Sequence, residues 1–158
     1  MATTHDCTAL AQFKGTMPSW GNAGNGFGQF AVLKFHVDMS EVASDLAATI
    51  DGSASDVIQL WDIPAGTQIL GVRVNVTTAE GAAATVAVGD GDSTAGYLAA
   101  FSINAVADKM TLTSDAYGAT CGRTYTDTDT LDLLFATAAD IDAAVFDVYV
   151  ACIFYGNA

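Results

Sequence analysis

The chain has 158 residues, 51% of them hydrophobic, and carries 18 acidic against 5 basic residues, a formal net charge of −13. This length fits one domain with a substantial core. The acidic balance argues against nucleic acid as a partner, because phosphate binding requires a basic surface. No uncharged apolar stretch approaches the roughly 18 residues that would cross a bilayer, so the sequence predicts no membrane partner.

Residues 1–29 predict an extended N-terminal arm, followed by a β domain at residues 30–158. The stretch FKGTMPSWGNAGNGFGQF separates large apolar side chains with glycine and asparagine, and such a segment cannot form a core by itself. Its anchors can instead become buried on contact with another surface. The candidate docking residues are Phe13, Met17, Trp20, Phe27 and Phe30. A loose or folded-back terminus is the alternative.

From residue 31 onward the dominant period is two, which is typical of half-buried strands. The stretch AVLKFHVDM has one face formed by Leu33, Phe35 and Val37 and another formed by Lys34, His36 and Asp38. The next stretch, SEVASDLAATI, predicts the one helix of the chain. Ser40 is its expected N-cap, and Val42, Leu46 and Ile50 form its apolar stripe.

Short strands continue to the end of the chain. The stretch QILGVRVNVTT alternates with Leu70, Val72, Val74 and Val76 facing inward. Further strands are predicted at DVIQLWDI, ATVAVG, YLAAFSI, KMTLTS, TLDLLFAT and AVFDVYVACIFY. About eight short strands separated by turn signals indicate an all-β sandwich or barrel, because a parallel sheet would need several crossover helices.

The stretch VGDGDSTAGY could hold a metal, bind a phosphate or only form a turn. It lacks the Lys-Ser/Thr ending of a phosphate loop. Asp90 and Asp92 match the start of a calcium loop, but no glutamate follows at the required distance. We therefore predict a turn in which Gly89, Gly91 and Gly96 adopt positive φ values, with no metal and no other cofactor.

The closing strand differs from the others because both of its faces are largely apolar. One face carries Phe146, Val148, Val150, Cys152 and Phe154, and the other carries Val145, Tyr149, Ala151 and Ile153. Such a strand is covered on both sides, either by more of the same chain or by another subunit. The second alternative predicts a homo-oligomer with Tyr149 and Ile153 near the subunit interface.

The sequence predicts no enzyme and no catalytic residue. The only two histidines, His5 and His36, have no neighbouring nucleophile elbow and no HExxH spacing. The three cysteines, Cys7, Cys121 and Cys152, lie far apart without CxxC spacing, which favours neither a disulfide framework nor a zinc site. The start of the chain also lacks the pattern of a secretory signal, so we expect a cytosolic origin.

Residues 62–100 and 117–133 carry the pattern IPAGT…VGDG…GY…YT…DT. This pattern resembles that of a recurrent class of small structural proteins of tailed bacteriophages. The resemblance implies a virion protein of the capsid cement or decoration type, assembled in the host cytoplasm and bound to the major capsid protein on the outer surface. It also implies a β-sandwich core of the jelly-roll type and a homotrimer.

Two other functions stay open from the sequence. A tail, baseplate or fibre module that binds carbohydrate or a host surface would need exposed aromatic side chains in loops. The candidates for that role are Trp20, Trp61, Tyr97, Tyr117 and Tyr125. A jelly-roll enzyme would need a His-rich or multi-carboxylate cluster facing inward, for which two histidines offer little material.

Overall fold

A computed structural model describes residues 3–6, 28–111, 116–117, 122–136 and 140–155 of the chain. The strands are β1 (Thr4–Asp6), β2 (Gln29–Asp38), β3 (Val57–Ile63), β4 (Thr67–Thr78), β5 (Thr85–Gly89), β6 (Leu98–Ser102), β7 (Ala107–Thr111), β8 (Arg123–Tyr125), β9 (Asp129–Ala136) and β10 (Val145–Phe154). One helix, α1 (Met39–Leu46), and a short 3-10 turn (Gly52–Ala54) lie between β2 and β3. No helix within the described ranges is long and apolar enough to span a bilayer.

The strands form two sheets, which confirms the predicted all-β class. Sheet A has the order β1-β3-β9-β5-β6, and sheet B has the order β2-β10-β4-β7, with β8 pairing beside β7 on β4. Every pairing is antiparallel except that of β1 with β3. The core lies between the sheets, where Phe135 of β9 meets Phe146 of β10 at a ring-centroid distance of 6.5 Å.

All eight strands expected from the alternation are present, and the apolar inner face of β10 is buried as expected. The alternation of β4 differs from the prediction at one point. The register between β4 and β10 shifts so that Ala151 faces Gly71 while Cys152 faces Ile69, which leaves Leu70 as an extra residue. A bulge of this kind reverses the alternation on one side of it. Ile69 is therefore fully buried and Leu70, predicted to face inward, is only half-buried.

The helix is shorter than predicted, and its cap differs. Asp38 is the N-cap residue, and its carboxylate accepts a hydrogen bond from the Ser40 backbone N–H at 3.0 Å. Ser40 was therefore the wrong cap, because the carboxylate two residues earlier takes that position. The helix ends at Leu46, since Ala47 adopts a left-handed conformation with φ of 49°. Ile50 is buried, but beyond the helix.

The first described residues lie on the body of the protein. Thr4–Asp6 pair in parallel with β3, the Thr3 N–H donates to Asp56 Oδ1 at 2.7 Å, and His5 Nε2 lies 3.4 Å from Asp56 Oδ2. The beginning of the segment predicted as an arm thus forms the edge of sheet A. The candidate docking residues Phe13, Met17, Trp20 and Phe27 lie outside the described residues.

Candidate functional site

The solvent-facing side of sheet B carries the candidate interface, and we call it the outer face of sheet B. It is formed by Phe30, Val32, Lys34 and His36 of β2, by Asp147, Tyr149, Ala151 and Ile153 of β10, and by Arg73 and Asn75 of β4. These residues alternate with the buried residues of the same strands, so their side chains lie on the side away from the core. The predicted interface residues Tyr149 and Ile153 are both on this face and half-buried.

One half of this face is apolar. Phe30 lies opposite Ile153, and Val32 lies opposite Ala151. Phe30 remains 61% exposed and Val32 57% exposed, so two large apolar side chains stand beside one another in solvent. Neighbouring exposed apolar residues indicate a contact surface, whereas isolated ones carry no such meaning.

The other half is polar and balanced in charge. Tyr149 lies between Lys34 and Arg73, whose charged groups are 5.7 and 5.5 Å from its ring centre. Lys34 Nζ and His36 Nδ1 contact the Asp147 carboxylate at 2.9 and 2.8 Å. Burial alone would raise the pKa of Asp147, but the hydrogen bonds from Lys34 and His36 outweigh it and hold that pKa below its usual value. Asp147 therefore stays ionised and orders both β2 side chains.

Arg73 is held on its other side by Asp108 of β7. Its Nε and Nη2 donate to the two carboxylate oxygens at 2.9 and 2.6 Å, a bidentate pair. Each of the two cations on this face, Lys34 and Arg73, therefore has a carboxylate partner.

The exposed positions of Phe30 and Val32 could also be predicted from the sequence. The alternation that places Lys34 and His36 on the polar face of β2 extends backward to Val32 and Phe30. The sequence interpretation includes Val32 in no site and Phe30 in the docking arm, whereas Phe30 is the second residue of β2 in the structure.

The turn at residues 88–97 is organised by a buried carboxylate. Asp90 has no exposed surface. Its oxygens accept hydrogen bonds from Tyr117 Oη at 2.9 Å, Tyr125 Oη at 2.6 Å and Arg123 Nη1 at 2.8 Å. Tyr97 Oη adds a contact to Tyr125 Oη at 2.7 Å. We call these five residues the Asp90 clasp, which joins the β5–β6 loop of sheet A to β8 of sheet B.

The clasp fixes the protonation of its tyrosines. Burial, reinforced by the hydrogen bond to Asp90, raises the pKa of Tyr125, and burial also raises the pKa of Tyr97. Both hydroxyls therefore remain protonated. Asp90 also accepts hydrogen bonds from the backbone N–H groups of Asp92 and Ser93, so its oxygens serve donors of the protein itself. Among the described residues, no group of three or more His, Cys, Asp or Glu side chains is arranged to hold a metal.

The glycines of this turn are needed for close approach. The prediction of positive φ at Gly89, Gly91 and Gly96 was wrong, since the described glycines with positive φ are Gly66, Gly81 and Gly122. A Cβ atom at Gly89 would lie 1.9 Å from the Ser93 carbonyl oxygen, and one at Gly96 would lie 2.1 Å from the Tyr117 ring. The Asp90 carboxylate accepts hydrogen bonds from the loop N–H groups of Asp92 and Ser93, which holds the loop against the end of β5. The space left beside the backbone fits only glycine.

Three of the aromatic residues considered for carbohydrate binding are occupied inside the protein. Trp61, Tyr97 and Tyr125 are buried, and Trp61 packs against Phe35 and Phe154. Tyr117 is half-buried and belongs to the clasp, while Trp20 lies outside the described residues. Sugar stacking requires an exposed ring face. Three of the five candidate residues for carbohydrate binding are therefore too buried to stack on a sugar.

The remaining candidates for chemistry are the cysteines and His36. Burial raises the pKa of the Cys152 thiol to about 12, so this cysteine is held in its unreactive form. Cys7 and Cys121 lie outside the described residues. His36 contacts Asp147 on an open sheet face, without a nucleophile among the partners described above.

Asp132 is an acidic side chain with an unsatisfied oxygen. It is 7% exposed, and within the described part of the chain its Oδ1 has no hydrogen-bond partner. Burial raises its pKa to about 6, opposed by a hydrogen bond from Thr130 and reinforced by the charges of Asp129 and Asp90. A carboxyl group of this kind destabilises the fold when it is ionised.

We expect Asp132→Asn to stabilise the protein by about 1 to 2 kcal/mol at pH 8 and to lose that advantage near pH 4. The pKa of Asp132 is raised in the folded state, so folding takes up a proton between about pH 4 and pH 6. The destabilisation that ionised Asp132 causes in the wild type therefore disappears as the pH falls through that window. Urea unfolding of both proteins at pH 8 and pH 4 measures the difference. A constant difference across that range would contradict the assignment.

Comparison with known proteins shows similarity at the level of structure. No protein-family model matches the sequence, and no curated protein matches it. A chain of the cyanophage Pam1 capsid asymmetric unit aligns over 87% of this chain and 99% of its own length, with a TM-score of 0.58 and 18% identity. A chain of the acidic stable capsid structure of Helicobacter pylori bacteriophage KHP30 aligns over 83% and 91%, with a TM-score of 0.53 and 16% identity.

A third match is a chain of the capsid of Ralstonia phage GP4, which aligns over 84% of this chain and 88% of its own length, with a TM-score of 0.53 and 15% identity. In all three comparisons, the alignment covers most of this chain and most of the matched chain, so the two chains are similar in length as well as in architecture. The protein therefore has the fold of small chains found in three phage capsid structures.

Proposed function

We propose that this protein is a capsid cement or decoration protein of a tailed phage, which binds the shell of major capsid protein from the outside and stabilises it after assembly in the host cytoplasm. The observation that carries this proposal is the nearly complete structural match to three chains of phage capsids, which extends over 88 to 99% of those chains. The role is structural, and the protein has no catalytic task in it.

The strand order supports a jelly-roll assignment. The pairs β2–β10, β3–β9, β4–β7 and β5–β6 are nested, the outermost strands of the chain pairing with each other and the innermost forming the central pair. Folding a long antiparallel ribbon over itself produces this nesting, which is the topology of the double-sheet jelly roll. The edge strand β1 and the short strand β8, which pairs with β4, are additions to these eight strands.

The docking surface that we propose begins at Phe30. This residue, with Val32, forms the exposed apolar half of the outer face of sheet B. The arm residues Phe13, Met17, Trp20 and Phe27 precede it in the chain and are proposed as further anchors on the major capsid protein. Buried aromatic anchors supply most of the binding free energy in many protein interfaces, so a few of them suffice.

A host-binding module of the tail is less well supported. Its sequence argument depended on exposed aromatic residues, and Trp61, Tyr97 and Tyr125 are in the core. An enzyme is also less well supported, because the buried carboxylate Asp90 is used by the clasp and His36 lies on an open sheet face.

We further propose a homo-oligomer, most simply a trimer, with Tyr149 and Ile153 at the subunit interface. A chain with a net charge of −13 repels its own copies, so association requires a surface on which charge is balanced. The outer face of sheet B fits this requirement, because Lys34 pairs with Asp147 and Arg73 pairs with Asp108. Tyr149 lies at the centre of that balanced region.

Sedimentation velocity of the purified chain is expected to give a species of three times 16.2 kDa. Ile153→Lys should dissociate it, because a charge would replace an apolar contact. Val106→Lys is the matched control, since Val106 is 70% exposed and outside the proposed interface. A monomer at high micromolar concentration in the wild type would leave assembly on the particle as the only route to a trimer.

The function itself is tested by co-sedimentation of the purified protein with phage shells that lack it. Saturable binding with a fixed number of copies per shell is expected, together with release of DNA at a higher temperature. Absence of binding at micromolar protein would contradict the proposed function.

A further inference from the structure

Strand β2 presents an unusually long open edge. Its ten residues pair in register with β10 over ten consecutive positions without a bulge. On the opposite side, β2 has no strand partner within the described residues. An edge of this kind exposes a row of backbone N–H and C=O groups, which is a template for another extended chain.

The other edges of the two sheets are short. Sheet A ends at β1, with three residues, and at β6, with five. The far side of sheet B ends at β7 and β8, with five and three residues. Proteins commonly prevent edge-to-edge association with short edge strands, proline or bulges. β2 has none of these features, and Lys34 is the one charged residue in its central part.

The side chains along this edge specify a direction. On the outer face, the exposed apolar residues Phe30 and Val32 come first, followed by Lys34 and His36, whose side chains are 52% and 55% exposed. A matching strand would place apolar side chains beside the first pair and acidic or other acceptor side chains beside the second, because cross-strand neighbours of this kind stabilise a sheet.

Pairing of β2 with β2 of a second copy does not satisfy this pattern. In antiparallel pairing about a two-fold axis, the two registers with fullest overlap place Lys34 opposite either Lys34 or Val32 of the other copy. The first opposes like charges, and the second sets Phe30 opposite His36 and Val32 opposite Lys34. Both therefore leave the apolar pair without an apolar neighbour. A three-fold axis does not allow an edge to pair with itself.

We propose that the open edge of β2 binds an extended segment of the neighbouring shell protein as an additional strand of sheet B. This inference rests on the proposed function and specifies its contact: backbone hydrogen bonds supply the attachment, and the order of apolar and basic side chains selects the segment. Docking through an edge also leaves Tyr149 and Ile153, on the next strand, available for contacts between copies.

The test measures hydrogen–deuterium exchange of residues 29–38 in the free protein and in the protein bound to shells. Amides that point to the open edge are expected to exchange rapidly in the free protein and to become protected on the shell, because they gain hydrogen bonds there. The Val32→Lys variant should bind shells more weakly by on the order of tenfold or more. Ala100→Lys is the matched control, since it adds the same charge to an exposed position of the short edge strand β6.

The outcomes separate this inference from the function on which it rests. The added strand is supported if residues 29–38 become protected on the shell and if Val32→Lys binds weakly while Ala100→Lys binds normally. Wild-type binding without protection of β2, or unchanged binding by Val32→Lys, overturns the added strand and leaves the cement function in place. If the wild-type protein does not bind shells at all, both are wrong.

Discussion

Replacing Asp90 with alanine is expected to lower the free energy of unfolding by about 3 to 5 kcal/mol, because it removes the buried acceptor of three side-chain donors, one of them the charged Arg123. The carboxylate is fully buried and accepts hydrogen bonds from Tyr117, Tyr125 and Arg123. Its loss removes the carboxylate acceptor of the buried Tyr125 hydroxyl, which keeps its contact with Tyr97, and removes one counter-ion from Arg123. Since domains are stable by only about 5 to 15 kcal/mol, this change removes a large part of the total.

Urea unfolding monitored by circular dichroism measures this effect. Asp92→Ala is the control, because Asp92 contacts the same Arg123 with a side chain that is 75% exposed, and its loss should change stability by no more than about 1 kcal/mol. Equal effects of the two variants would show that the clasp does not hold the two sheets together in the way we describe.

The largest effect on binding is expected in the arm. We predict that Trp20→Ala weakens attachment to shells by about 1 to 3 kcal/mol per copy, because tryptophan that fills a partner pocket is often a dominant contact. If each oligomer carries several arms, the loss per particle is multiplied. Quantitative co-sedimentation measures the change. Thr16→Ala is the control from the same segment, without an aromatic ring.

The structure favours this substitution over removal of the arm. From the sequence we expect the β domain to need nothing before Phe30, yet Thr4–Asp6 pair with β3. Truncation would expose the edge of β3 as well as remove the anchors, and a loss of binding could not be assigned to either. Unchanged binding by Trp20→Ala, with Met17→Ala also unchanged, would contradict the role of the arm as an anchor on the shell.

The sequence predicted the fold where local alternation is strong. Strands such as β2 and β10 are long and regular, so the period of two predicts both their position and their buried faces. The three-residue strands β1 and β8 carry no such pattern, because their positions depend on pairing with β3 and β4. The bulge at Leu70 could not be predicted from the sequence. A bulge depends on the partner strand, and it reverses the alternation without a change in composition.

The candidate site was predictable in part for a similar reason. Tyr149 and Ile153 follow from the two apolar faces of a single strand. The clasp joins Asp90 to Tyr117, Arg123 and Tyr125, which lie 27 to 35 residues further along the chain. A long-range network of this kind has no local sequence signal. From the sequence alone, the aspartates therefore resemble metal ligands and the tyrosines resemble sugar-binding residues.

A cryo-EM reconstruction of the intact particle from which the chain comes tests the central claim most directly. The account predicts density for this β-sandwich on the outer surface of the shell, repeated at a local symmetry axis between major capsid subunits, with the β2 edge and the arm against the shell. Density for the chain only in the tail or baseplate, or its absence from the shell, would contradict the account.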